Sequence, residues 1–99
     1  MSGKNEASYK LKAQVLRALA QPTRLKIVDF LSLKGESCVC EIVKLAAAER
    51  TGVSKHLSIL TRAGILSSRK KGQWVFYKLE MPCAVKFLSC AEEIACSRR

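Results

Sequence analysis

The spacing of apolar residues changes at Gly64, and this change restricts the fold of the chain more than any other feature. Before Gly64 the apolar residues recur every three or four positions, which is the spacing of one helix face. Residues 65–79 instead alternate with a period of two, as in a β-strand, and helical spacing returns after Pro82. The order predicts a mainly α-helical domain that carries one small β-hairpin.

Five helices are predicted from these apolar stripes and from residues that start or stop helices. Pro22 suits a first helical turn, because its missing N–H would have no partner there. Gly35 suits the position after a helix, and Thr51 is a good N-cap. The predicted helices span residues 8–20, 22 to about 35, 40–47, 51–63 and 82–96. The polar residues 1–7 are expected to be disordered, which leaves residues 8–97 as one folded domain.

The hairpin is predicted from two short alternating segments with a turn dipeptide between them. The predicted strands span residues 65–70 and 73–79, and Lys71-Gly72 joins them. The residues predicted on one side of the second strand are Val75, Tyr77 and Leu79. A helix pair followed by a basic hairpin is typical of a winged helix-turn-helix. The fourth helix would be its recognition helix and the hairpin its wing.

The first and last helices carry more apolar residues than one small core needs. A lone domain of 99 residues is only marginally stable, so association is a reasonable expectation. The sequence therefore predicts a homodimer in which helices 8–20 and 82–96 of two protomers pack around a two-fold axis.

Positive charge is concentrated where DNA would be read. The formal net charge is +10, and residues 50–79 contain seven basic residues and no acidic one. Such a field suits the phosphates of double-stranded DNA, although a solvated basic face would have the same composition. The residues expected to contact DNA are Arg50, Thr51, Gly52, Ser54, Lys55, His56, Ser58 and Arg62 at the recognition helix and Arg69, Lys70, Lys71 and Gln73 in the wing. The competing interpretation of His56, a metal ligand, lacks a second ligand at suitable spacing.

Two thiols one residue apart, Cys38 and Cys40, stand just before the helix-turn-helix pattern. On a regular helix they would point about 200° apart, but they can converge where an extended chain enters a helix. A helix N-terminus also favours thiolate, and a site made of soft sulfur disfavours magnesium and calcium. The sequence thus predicts a soft-metal site at Cys38 and Cys40.

Three further cysteines lie in the last predicted helix and bring the total to five, an odd number. In a reducing cytosol these should be thiols. The candidates for a third ligand are Cys83, Cys90 and Cys96. The favoured interpretation is that these three are small residues of the dimer seam.

Four segments carry a family resemblance: ALAQPTRLKIVDFL, GESCVCEI, GVSKHLSILTRAGIL and RKKGQWVFYKL, together spanning residues 18–79. The chain resembles the ArsR/SmtB family of metal-responsive repressors, and its arsenical-resistance branch in particular. The resemblance implies a homodimeric repressor that occupies the operator DNA of a resistance operon. It also implies release when As(III) or Sb(III) binds cysteine thiolates, with no organic cofactor.

The chain departs from that branch at one ligand position. The branch has three cysteines spaced C-x-C-x-x-C, whereas Val43 stands at the third place here. The third sulfur would come from the last helix or from a small thiol. The N-terminal cysteines of the cadmium/lead branch are absent, as are the His and Asp ligands that mark the zinc branch.

The sequence is also compatible with other functions. The same fold could sense cadmium, lead or zinc, or it could sense oxidants or persulfide through its thiols. An enzyme is not expected, because the chain has no catalytic triad, phosphate loop or paired carboxylates in a plausible cleft. No apolar run approaches the roughly 20 residues of a membrane helix, and no signal-peptide core is present, so a cytoplasmic protein without a membrane partner is expected.

Overall fold

The computed structural model describes residues 6–45 and 52–97. Its elements in chain order are α1 (Glu6–Leu19), α2 (Pro22–Lys34), β1 (Ser37–Cys38), α3 (Val39–Leu45), α4 (Val53–Arg62), β2 (Leu66–Lys71), β3 (Trp74–Leu79) and α5 (Ala84–Ser97). This order, four helices followed by a hairpin and a last helix, confirms the predicted winged helix-turn-helix.

The ends of α2 follow from the residues placed there. The Gln21 side chain accepts a hydrogen bond from the backbone N–H of Arg24 at 3.1 Å, and Pro22 occupies the first turn. At the other end Gly35 adopts a φ of 82°, a left-handed value that favours glycine, and its N–H donates to the Leu31 carbonyl at 2.9 Å. Both predicted boundaries of this helix are confirmed.

The core forms between α2, α3, α4 and the start of the hairpin. Its fully buried side chains include Ile27 and Leu31 of α2, Ile42 of α3 and Leu57 and Leu60 of α4. The predicted inner stripe of α4 is confirmed, since Val53, Leu57 and Leu60 are each at most 1 % exposed. Burying this apolar stripe fixes the rotation of α4 about its axis and thereby selects the residues it presents outward.

The sheet has three strands in the order β1-β3-β2, and the sequence-based prediction had only two. β1 pairs antiparallel with β3, with Ser37 opposite Tyr77 and Cys38 opposite Phe76. A two-residue strand is too short to show a period of two, which explains why the pattern missed it. The extra strand joins the cysteine segment directly to the wing.

The wing turn lies one residue later than predicted. Lys71 pairs with Trp74, so the two-residue loop is Gly72-Gln73 rather than Lys71-Gly72. Gly72 has a φ of 64°, which suits the first central position of a tight hairpin turn. Of the three residues predicted on one side of β3, Tyr77 and Leu79 pack against the core, whereas Val75 is not among the residues packed there.

Several predicted helix boundaries shift. α1 begins at Glu6, so residues 6 and 7, predicted to be disordered, are helical, while residues 1–5 lie outside the described residues. α3 is described from Val39 to Leu45, and the end of the predicted helix at residue 47 lies outside the described residues. Gly52 precedes α4, and the predicted N-cap, Thr51, is also outside them. α5 begins at Ala84, two residues after Pro82.

The terminal helices leave apolar side chains exposed. Leu11 and Leu16 of α1 are 63 % and 55 % exposed, and Phe87 and Ile94 of α5 are 51 % and 58 % exposed. Leu16 and Phe87 line one groove of 320 Å³ between these helices. Exposed apolar faces of this kind fit the predicted dimer interface. Within the described part of the chain, no helix has both the length and the apolar character needed to cross a bilayer.

Candidate thiol site and nucleic-acid interface

The predicted thiol pair lies where an extended segment enters a helix. Cys38 is the second residue of β1, and Cys40 is the second residue of α3. Cys38 is still in an extended segment and Cys40 is already in the first turn of α3, so their side chains do not have the opposed directions that they would have on one helix. Their sulfurs lie 3.0 Å apart, and the Cys40 thiol donates a hydrogen bond to the Cys38 sulfur. Two metal–sulfur bonds of about 2.3 Å each, as for zinc, can bridge sulfurs up to ~4.6 Å apart. The sulfurs lie within that limit, and a small opening of the pair would let both of them hold one ion.

The two thiols differ in accessibility. The Cys38 side chain is buried at 7 % exposure, whereas Cys40 is exposed. The hydrogen bond to Cys38 raises the pKa of the Cys40 thiol, and partial loss of solvent and the negative charge of Glu41 act in the same direction. A backbone hydrogen bond at Glu41, in the first turn of α3, acts in the opposite direction and lowers the pKa of the Cys40 thiol.

Glu41 fixes the entry into α3. Its carboxylate accepts a hydrogen bond from the backbone N–H of Cys38 at 3.2 Å, as the third helical residue does in a capping box. On the other side, the buried Ser37 hydroxyl donates to the Gly35 carbonyl at 2.9 Å. These two bonds hold the backbone of the Cys38–Cys40 segment in the conformation that brings the sulfurs together.

The three other cysteines do not complete this site within one protomer. Cys83, Cys90 and Cys96 are all exposed, and Cys83 precedes α5. Among residues 6–45 and 52–97, no three His, Cys, Asp or Glu side chains are grouped to hold a metal ion. A third sulfur would have to come from another molecule or from a rearranged chain.

The thiol site and the wing are joined across the sheet. Phe76 of β3 lies opposite Cys38 on one side and Arg69 on the other. The Arg69 guanidinium stands 5.9 Å from the Phe76 ring centroid and donates two hydrogen bonds to Glu36, at 2.6 and 3.0 Å. This paired contact lowers the pKa of the Glu36 carboxyl. Glu36 is two residues before Cys38, so the wing is anchored to the segment that carries the thiols.

The outer face of α4 is small, polar and basic. The exposed residues predicted to contact DNA on this helix are Ser54, Lys55, Ser58 and Arg62. Gly52 is half-buried, and the predicted contacts Arg50 and Thr51 lie outside the described residues. The Arg62 guanidinium donates to the Ser58 hydroxyl at 3.4 Å. The exposed set fits a helix that enters a major groove.

His56 does not point outward, and the predicted orientation was wrong. Its side chain is 9 % exposed, and its Nδ1 accepts a hydrogen bond from Arg24 Nε at 3.1 Å. The helical spacing does indicate that His56 is buried, because it lies three residues after Val53 and four before Leu60 on the inner stripe of α4. Sequence reasoning also missed Arg24 as its partner, because nothing in the pattern joins residues 32 positions apart.

The wing presents the basic residues that the sequence placed there. Arg69, Lys70, Lys71 and Gln73 are all exposed. Lys70 and Lys71 stand at the end of β2 and make no ion pair within the described residues, whereas Arg69 is paired with Glu36. Lys70 and Lys71 are therefore better placed than Arg69 to meet a phosphate without first breaking a contact.

Comparison with known proteins agrees with this architecture. Residues 21–68 match the family described as bacterial regulatory protein, arsR family. An uncharacterised HTH-type transcriptional regulator of Methanocaldococcus jannaschii is 41% identical over 69 residues, covering 70% of this chain and 78% of that protein. The arsenical resistance operon repressor of Escherichia coli is 42% identical over 72 residues, covering 73% and 62%.

A relative with a different named metal matches almost as well. The cadmium resistance transcriptional regulatory protein CadC homolog of Staphylococcus aureus is 41% identical over 68 residues, covering 69% of this chain and 56% of that protein. The chain thus spans less than two thirds of the length of the arsenical and cadmium relatives. The solution structure of a homodimeric winged helix-turn-helix DNA-binding domain of Mycobacterium bovis superposes with a TM-score of 0.76 at 26% identity, covering 99% and 93%.

A basic recognition helix, a wing and a shared fold with such domains define a class of DNA-binding transcription regulators, not enzymes. Within this class, the chain belongs to the ArsR family.

Proposed function

We propose that this chain is a homodimeric repressor of an arsenic-resistance operon that leaves its operator when As(III) or Sb(III) binds Cys38 and Cys40. The single observation that carries the proposal is the 3.0 Å separation of the two sulfurs at the junction of β1 and α3. Soft thiolates select soft ions, and no nitrogen or oxygen ligand completes the group within the described residues. The third sulfur is contributed by a small thiol or by a cysteine of α5.

Release follows from where the thiols lie. Drawing both sulfurs onto one ion replaces their hydrogen bond and strains the entry into α3, which Glu41 and β1 fix. α3 precedes the recognition helix, and β1 pairs with the wing strand β3. Both DNA-contacting elements are therefore displaced from the spacing at which a dimer fits two half-sites. Ion binding and DNA binding weaken each other by the same factor.

The ligand set is tested by arsenic X-ray absorption on the full-length protein. Wild type loaded with one equivalent of arsenite should show As–S scattering. The variants Cys38→Ser and Cys40→Ser should each lose sulfur neighbours, and the same change at the exposed Cys90 tests for a ligand on α5. Arsenic without sulfur neighbours, or a spectrum indifferent to Cys38→Ser and Cys40→Ser, would refute the proposal.

A divalent-ion sensor is the second candidate, and the cadmium-named relative at 41% identity favours it. Tetrahedral zinc or cadmium sites need about four ligands, whereas two sulfurs converge here. A thiol-oxidation sensor is the third, because the same 3.0 Å contact would favour linkage of the two sulfurs by an oxidant. Cadmium and an oxidant run beside arsenite in DNA-release titrations distinguish the three.

A further inference from the structure

Three arginines converge on one open pocket away from the thiol site. The pocket has a volume of 520 Å³ and lies between the last turn of α1, the first turn of α2 and the last turn of α4. Arg17, Arg24 and Arg62 line it, with the Gln14 amide beside them, and its other lining residues are apolar. In the part of the chain that the structure describes, no carboxylate lines the pocket.

The positive charge in this pocket is not neutralised by the chain within the described residues. The ion pairs among the described residues join Arg69 to Glu36 and Lys78 to Glu80, and both lie at the wing rather than at the pocket. Arg17 is exposed, and its guanidinium forms no hydrogen bond or ion pair with another described residue. Three cations facing one cavity repel one another, and a bound anion would remove that cost.

Arg24 is held in place by the fold. Its Nε donates to His56 Nδ1 at 3.1 Å, and its Nη1 donates to the Ala18 carbonyl at 3.2 Å. A guanidinium has five N–H donors in a fixed plane, so these two bonds orient Arg24 and leave further N–H groups for a ligand. Such a pre-oriented fork matches the paired oxygens of a phosphate group.

We propose that this arginine pocket binds a phosphate group, held by Arg24 at its base and by Arg17 and Arg62 at its rim. The phosphate has two sources, a DNA backbone phosphate beside the recognition helix or a free phosphate compound. Arg62 belongs both to the outer face of α4 and to the pocket, which favours the DNA backbone. That assignment rests on the proposed function, in which α4 is the helix that enters the groove.

Occupation of the pocket would act on the recognition helix. Arg24 belongs to α2 and His56 to α4, so their hydrogen bond joins the phosphate ligand to the helix that contacts bases. A phosphate held here would fix the position of α4 relative to the DNA backbone. Contacts of this kind position a protein on DNA without reading its sequence.

The test uses the full chain with Arg17→Gln and Arg62→Gln combined, which removes two rim charges and leaves Arg24 in place. Arg17→Gln alone is measured beside it, because Arg62 also belongs to the outer face of α4 whereas Arg17 belongs to α1. The matched control combines Lys26→Gln and Lys34→Gln, two exposed positions on α2 outside the pocket. Fluorescence anisotropy measures binding to a duplex from the chain's own promoter region at several salt concentrations. NMR follows the arginine Nε–Hε signals while inorganic phosphate is added.

For a DNA phosphate, the slope of log K against log salt becomes less negative by about 0.9 per lost contact in the rim variant and also in Arg17→Gln alone, and it does not change in the control. For a free phosphate compound, inorganic phosphate shifts the Nε–Hε signals saturably in wild type and not in the rim variant, while the two salt slopes agree. Equal slopes together with unshifted signals overturn the proposal. The NMR titration needs neither DNA nor arsenite. It can therefore show that the pocket does not bind phosphate independently of whether the proposed repressor function is correct.

Discussion

Val43 occupies the place at which a third cysteine would complete the arsenical C-x-C-x-x-C spacing. It lies three residues after Cys40 on α3, on the same side of the helix, and packs partly buried against the core. The sequence alone revealed this departure, whereas the 3.0 Å approach of the Cys38 and Cys40 sulfurs needed the structure, because it depends on the exact residue at which β1 becomes α3.

The variant Val43→Cys should bind arsenite more tightly than wild type. The new sulfur would lie on the same side of α3 as the Cys40 sulfur. It would serve as the third sulfur ligand, which wild type has to take from a small thiol or from α5. We expect half-maximal release from DNA at lower arsenite, and a response that no longer depends on added small thiol. Val43→Ser, of similar size to cysteine but without sulfur, is the control. An unchanged arsenite response in the cysteine variant would place the ion away from α3.

His56 shows how one buried hydrogen bond can be mistaken for a surface contact. A polar residue in a basic helix suggested DNA, but its position on the inner stripe makes it the partner of Arg24. A direct contact between His56 and DNA stays a prediction that burial disfavours.

Replacing His56 by leucine should destabilise the fold by about 1–3 kcal/mol, because the Arg24 Nε–H loses its acceptor in a partly buried place. His56→Gln retains an acceptor oxygen and should recover part of that loss. Urea unfolding of the two variants measures both effects, with Ser54→Ala on the exposed face as control. Equal stability of the leucine variant and wild type would show that the hydrogen bond contributes nothing.

At the scale of elements, the helices follow from sequence and the third strand does not. α2 and the inner stripe of α4 were predictable, because apolar spacing and the Pro22 and Gly35 boundaries act locally. β1 exists only because Ser37 and Cys38 meet β3 about forty residues later, a long-range contact without a local pattern. This strand and the Glu36–Arg69 pair tie the thiol segment to the wing.

Breaking the Glu36–Arg69 ion pair should reduce the effect of arsenite on DNA binding. Glu36→Gln removes the charge that holds Arg69, so we expect tighter DNA binding and a smaller loss of affinity on adding arsenite. Glu80→Gln is the matched control, because Glu80 contacts Ser67 and Lys78 elsewhere on the same sheet. Anisotropy titrations with and without arsenite measure the ratio of affinities. If Glu36→Gln and Glu80→Gln change this ratio equally, the effect comes from net charge, and the Glu36–Arg69 contact does not couple the thiol site to DNA binding.

At the scale of the whole molecule, the terminal helices expose apolar groups while the wing and α4 expose cations. This division fits the proposal that one face packs against a second copy and that the other contacts DNA. The sequence predicted both faces from composition, but only the structure shows that Leu16 and Phe87 line one groove.

The variant Phe87→Glu should dissociate the predicted dimer, because it places a charge in that apolar groove. Leu33→Glu is the control, since Leu33 is 85 % exposed on α2 and carries the same change outside the terminal helices. Sedimentation equilibrium should show monomers for the first variant and dimers for the second. Dimers in both would move the interface away from α1 and α5.

The central claim, that Cys38 and Cys40 form a sensor that controls DNA binding, is tested most directly by arsenite titration of the protein on its promoter DNA. Fluorescence anisotropy under reducing conditions should fall as arsenite approaches one equivalent per site. Cys38→Ser should bind the same DNA and stay bound throughout the titration. Wild type that keeps its DNA in arsenite, or a Cys38→Ser variant that is released like wild type, would contradict the account.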